Sequence, residues 1–98
     1  MKMSFDEICE FQEDYSRSNK FDSLGIFQCF IELEKIMKKY EYAEILFDAK
    51  HDIIYVYEIE SWKNKLDDGD FEEEDVKDIL DLGFYFSDEY SNYIVFRT

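Results

Sequence analysis

The sequence predicts an α+β domain in which three main helices and a four-stranded antiparallel sheet, built from two hairpins, follow one another as ααββ(α)αββ. Three observations carry this expectation. Apolar residues recur at helical spacing in the first half and again ahead of Gly83, whereas from Glu44 and from Phe84 onward they alternate with period two. The chain has no proline and three glycines, which leaves no candidate linker, so its 98 residues read as one domain, 1–98. A hydrophobic content of 46%, with ten Phe and eight Tyr, argues for a folded core despite the charge.

Ser4 and Glu7 have capping-box spacing, which starts a first helix over about 5–16 with Phe5, Ile8, Cys9 and Tyr15 on one face. Asp6, Glu10 and Asp14 recur at i, i+4 and i+8 on the other. The segment SRSNKFDS breaks this pattern, and Ser23 is placed to cap a longer helix, about 24–41, with Ile26, Phe30, Leu33, Met37 and Tyr40 at alternating four- and three-residue steps. Phe27, Ile31 and Ile36 widen its apolar surface, which predicts the central core helix. Lys35, Lys38 and Lys39 suit its C-terminal half, where the helix dipole favours cations.

EILFDA, a KHD turn and IIYVYEI then read as one hairpin, and FYFS, a DEYS turn and NYIVFRT as another. Alternation sorts Ile45, Phe47, Ile54, Val56, Phe84, Phe86, Ile94 and Phe96 onto a core face. Leu46, Asp48, Tyr55, Tyr57, Tyr85, Tyr93, Val95 and Arg97 fall on a half-wet face. Between the hairpins, ESWKNKL offers Ser61 as a cap for a short helix and Trp62 and Leu66 as anchors.

The most unusual stretch is Asp67 to Asp81, DDGDFEEEDVKDILD, where nine of fifteen residues are acidic and only Lys77 opposes them. Asp70 and Glu73 have the spacing of a helix start and Gly83 supplies a stop. Val76, Ile79 and Leu80 share the docking side, and Glu74, Asp78 and Asp81 share the other. Asp78 and Asp81 sit near the C-terminal end, where the dipole opposes them, a local cost without a visible local benefit.

Eleven basic against twenty-five acidic residues leave a net charge of −14, which repels nucleic acids and anionic membranes, so a partner that uses charge should be basic. No apolar run approaches a membrane span and the N-terminus lacks a signal-peptide core, which points to the cytoplasm. Cys9 and Cys29 lie among apolar residues and read as free thiols. No cofactor or metal motif is found: Glu73 stands where a calcium loop needs glycine, His51 has no nucleophile placed beside it, and no glycine loop cradles phosphate. The expectation is a binding protein, not an enzyme.

The candidate partner-binding residues are Asp67, Asp68, Asp70, Glu74, Asp75, Asp78 and Asp81, with Asp6, Glu10 and Asp14 as a second stripe. Carboxylates at i and i+4 repeat at about 6 Å along a helix, near the spacing of phosphates on a strand, so such a surface suits a Lys/Arg cleft made for nucleic acid. In size, in the acids of DDGDFEEEDVKDILD, in aromatic richness and in the helix-then-hairpin ending DILDLGFYFSDEYSNYIVFRT, the chain resembles small acidic phage-encoded inhibitors of host defence, among them anti-CRISPR proteins and other DNA mimics. The resemblance implies occlusion of the nucleic-acid groove of a CRISPR effector or another defence nuclease, in the host cytoplasm and without chemistry. Two other readings stand beside it. An immunity protein against a basic nuclease toxin needs the same acidic surface, and Tyr55, Tyr57, Tyr85 and Tyr93 offer a face for a protein partner or a homodimer.

Overall fold

Among the described residues, four helices and two antiparallel sheets make up the α+β fold. The computed structural model describes residues 2–18, 20–40, 43–50, 53–59, 71–89 and 92–97. In chain order the elements are β1 (Lys2–Met3), α1 (Phe5–Asp14), α2 (Lys20–Leu24), α3 (Ile26–Met37), β2 (Ala43–Lys50), β3 (Ile53–Ile59), β4 (Phe71–Glu72), α4 (Glu73–Asp81), β5 (Phe84–Ser87) and β6 (Tyr93–Arg97). The two hairpins join through their second strands, in the order β2-β3-β6-β5. The expected single sheet is corrected by a second, smaller one, in which β1 pairs with β4 through Lys2↔Glu72 and Met3↔Phe71. Strands of two residues are too short to show any alternation in a sequence.

One apolar cluster holds the layers together. Ile8, Cys29, Leu33, Val76, Ile79 and Leu80 from the helices are fully buried with Phe84 and Ile94 of the sheet. Aromatic edges knit the layers: Phe30 meets Phe84 at 5.3 Å, Phe5 meets Phe86 at 5.7 Å, and Phe71 bridges Phe86 and the stacked Tyr40 ring. Such pairs add roughly 0.5–1.5 kcal/mol each beyond their area.

The expected 24–41 helix is the shorter α3, and α2 forms ahead of it in the segment expected to break the pattern. Ser23 lies inside α2 and does not cap a long helix. Gly25, at φ 80° and ψ 165°, turns the chain between α2 and α3 in a region that is open to glycine. The register of α3 also departs from the expectation of a helix buried on a wide face. Cys29, Leu33 and Met37 are inside, whereas Phe27 is 82% and Ile31 50% exposed.

The predicted core face holds at Val56, Phe84, Phe86, Ile94 and Phe96, all buried. Tyr57 does not follow the alternation. The pairing of β3 with β6 slips between Tyr55↔Val95 and Tyr57↔Ile94, so Val56 is an extra residue, a bulge that turns Tyr57 and Ile59 to the core side. Tyr57 is 6% exposed, and burial, with the Glu34 carboxylate nearby, raises its phenol pKa. Among the described residues no helix is long and apolar enough to cross a membrane.

Candidate functional site

The described part of the acidic stretch, 71–81, does not present its carboxylates as one stripe. Asp67, Asp68 and Asp70 lie outside the described residues, as do Ser61, Trp62, Leu66 and His51. The expected Asp70 cap is not the N-cap of α4. That position is Glu72, and its backbone N–H donates to the Tyr40 hydroxyl at 3.1 Å. The same hydroxyl donates to Asp75 Oδ2 at 2.6 Å, and Lys39 Nζ donates to both Asp75 oxygens at 2.9 Å. Asp75 is therefore buried and engaged by its own chain. The Asp75 bond raises the Lys39 pKa, and burial followed by the Asp75 bond raises that of Tyr40.

Asp81 is also internal, contrary to the expected outward stripe. Its Oδ1 accepts from the Tyr15 hydroxyl at 3.0 Å and from the Ser18 backbone N–H at 2.8 Å. Arg17, next to these, donates from Nη1 to the carbonyls of Leu80 at 2.7 Å and Phe84 at 2.8 Å. The cation that the C-terminus of α4 lacks in its own sequence thus arrives from the segment after α1. Gly83, at φ 97°, closes that helix with its N–H on the Leu80 carbonyl, as its position predicts. Glu73 pairs with Lys77 at 3.1 Å. Of the α4 candidates, Glu74 and Asp78 are the ones exposed.

The first helix keeps its display. Asp6, Glu10 and Asp14 are exposed, and so is Glu13, which at about 100° per residue falls closer to Asp6 than Asp14 does. The Ser4–Glu7 capping box forms in both directions, at 2.9 and 3.2 Å, and these bonds pull the Glu7 carboxyl below its ordinary pKa. Gln12, on the inner side, binds both backbone groups of Phe86 on the outer edge of β5. That clamp blocks an edge otherwise open to another strand and fixes α1 to the sheet.

The β5–β6 connection adds two residues that sequence reasoning missed, Asp88 and Glu89, both exposed. They stood in a turn with no periodicity, and only the packing of α1 on β5 brings Asp88 to its acids. Cys9 registers the result. Burial first, then the charges of Asp88, Asp6 and Glu13, push its thiol pKa up to about 12. Among the described residues, Asp6, Glu10, Glu13, Asp14, Asp88 and Glu89 form no ion pair.

The four candidate tyrosines separate. Tyr57 faces the core. Tyr55, Val95 and Tyr85 align across three strands on the opposite side, where Val95 is 1% exposed and Arg17 sits 3.8 Å above the Tyr85 ring. Tyr55 and Tyr93 meet edge to face at 4.9 Å and are half-buried. Cys9 and Cys29 are free. Among the described residues no three His, Cys, Asp or Glu side chains converge as metal ligands do. No family model, curated protein or solved structure matches the chain.

Proposed function

We propose that this chain is a non-catalytic inhibitor that fills the basic nucleic-acid-binding groove of a host defence complex, a CRISPR effector or another defence nuclease, in the cytoplasm of the host. The observation that supports it is the set of six exposed carboxylates on α1 and the β5–β6 connection, without a described counter-ion. A capping box and the Gln12 clamp hold α1 in place, so a partner does not have to order it. The chain meets lysines and arginines with carboxylates where phosphates would lie, competes with nucleic acid for them and needs no metal, cofactor or bond cleavage. Attraction acts over roughly 10 Å at 0.1 M salt and weakens as salt rises.

The test is competition. Candidate nucleases captured on the immobilised chain are purified and loaded with a fluorescent duplex, and release of the duplex is followed by anisotropy. Wild type should displace it at low salt, and the triple variant Asp6→Lys, Glu10→Lys, Asp14→Lys should fail to. Equal displacement by the variant, or captured proteins that bind no nucleic acid, would end this reading.

A further inference from the structure

Along α3 the described elements leave apolar side chains uncovered: Leu24 just before the helix and Ile26, Phe27 and Ile31 on it are 42, 36, 82 and 50% exposed. Beside Phe27 a groove of about 570 Å³ runs between α3 and β3, walled by Ile26, Phe27, Phe30 and Glu34 and floored by Ile54, Val56 and Tyr57. A projecting ring next to a hollow, on one face, is self-complementary. A two-fold rotation lays each ring over the hollow of the other copy.

Charge narrows the occupant. Each copy carries −14, so contact through the α1 face brings like charges together. On α3 the ions are already matched, with Lys35 on Glu32 at 3.0 Å and Lys38 on Glu34 at 4.0 Å. A basic partner, which the acidic faces attract, gains nothing from a face whose charges cancel. A second copy sets matched ions against matched ions there, so only the longer-range repulsion of the two net charges opposes it, and it covers a phenylalanine that otherwise stands in water. We infer that the α3 face is a two-fold interface between copies of this chain, with Phe27 of each seated in the α3–β3 groove of the other. This places self-association on a different surface from Tyr55, Tyr85 and Tyr93 of the sheet, with Tyr57 alone of the four candidates in the groove floor.

Sedimentation equilibrium over a range of concentrations, at low and high salt, tests it. The 12.0 kDa chain should move to twice that mass as concentration rises. High salt should favour the dimer, since it screens the mutual repulsion and leaves apolar contact intact. Phe27→Asp should shift the dimerisation midpoint at least tenfold upward while circular dichroism stays unchanged, and Ile31→Asp, also at an exposed position, should do the same. Asp6→Lys with Glu10→Lys should leave the dimer in place. A wild type that remains at 12.0 kDa throughout overturns the inference. So does a dimer that survives both α3 variants, or an apolar dye that saturates the groove while dimer content stays unchanged.

Discussion

Gln12 holds both main-chain groups of Phe86: its Nε2 donates to the carbonyl at 2.7 Å and its Oε1 accepts from the amide at 2.9 Å. A primary amide reproduces the donor and acceptor of a neighbouring strand, so a single side chain completes the edge of β5 at this residue. Gln12→Ala leaves the Phe86 amide without its partner and its carbonyl with only the weak Cys9 thiol at 4.0 Å, and should cost about 1–3 kcal/mol, read as a lower urea midpoint at unchanged slope. Gln12→Glu keeps an acceptor for the amide but sets a carboxylate against the carbonyl, and should fall at least as far. A wild-type midpoint in both variants would show that the clamp contributes nothing.

Tyr40 carries the second network, between the Glu72 N–H and the Asp75 carboxylate. Tyr40→Phe keeps the ring stacked on Phe71 and removes only the hydroxyl, which should cost about 1–3 kcal/mol in urea unfolding. The alkaline limb follows from the same group. Tyr15, Tyr40, Tyr57 and Tyr93 all have pKa values raised above the ordinary 10.0, burial being the first cause in each. A raised folded value means that the unfolded chain loses its phenol protons first. Stability is therefore full below about pH 10 and falls as pH rises through the folded values. Phenol absorbance should titrate in two groups, the later one with unfolding, and Tyr40→Phe should flatten the fall in melting temperature. A single titration at the ordinary value would refute this.

Most of the fold was legible in the sequence because it rests on local periodicity. Ser4 and Glu7 cap α1, Gly83 ends α4, and the alternation of FYFS and NYIVFRT set Phe84, Phe86, Ile94 and Phe96 inward. What was not legible depends on which element lies over which. Glu74, Asp78 and Asp81 share one side of a helix by spacing, yet the Tyr15–Ser18 segment crosses the end of that side and takes Asp81 in. Asp75 reads as one more surface acid, yet Lys39 and Tyr40, thirty-six and thirty-five residues before it, enclose it. Val56 passed for an ordinary strand residue, although as a bulge it reverses Tyr57. In the candidate site the α1 acids could be read from spacing, whereas Asp88 needed the docking of α1 on β5.

Cys9 reports the field of that site. With its thiol pKa pushed up to about 12 by burial and by Asp88, Asp6 and Glu13, alkylation at mildly alkaline pH should be slow. Asp6→Asn combined with Asp88→Asn removes two of the opposing charges, and raised salt screens all three. Each change should speed alkylation, by about threefold for every half-unit fall in pKa. Mass spectrometry distinguishes Cys9 from the buried Cys29. Rates insensitive to both changes would show that the acids do not converge on this thiol.

Gly25 joins α2 to α3 at φ 80° and ψ 165°, and a Cβ built there meets nothing within 4 Å. Steric contact is thus absent, and what remains is the backbone conformation itself, which side-chain-bearing residues avoid. Gly25→Ala should cost roughly 1–3 kcal/mol. The variant separates conformational strain from packing, because no neighbour has to move. An unchanged urea midpoint would mean that the turn relaxes without penalty.

Asp81 tests the division of the acids into structural and displayed groups. Its side chain is 9% exposed and holds the Tyr15 hydroxyl and the Ser18 amide, with Arg17 donating to the adjacent Leu80 carbonyl. Asp81→Lys removes the acceptor for two donors and adds a cation beside that guanidinium, so about 3–5 kcal/mol of stability should be lost. Asp6→Lys and Glu10→Lys, at exposed positions on α1, should stay within about 0.5 kcal/mol of wild type. Asp81→Asn keeps a side-chain oxygen for both donors and should fall between these. Urea midpoints measured at one salt concentration decide the order, and a midpoint for Asp81→Lys close to those of the α1 variants would return Asp81 to the surface stripe.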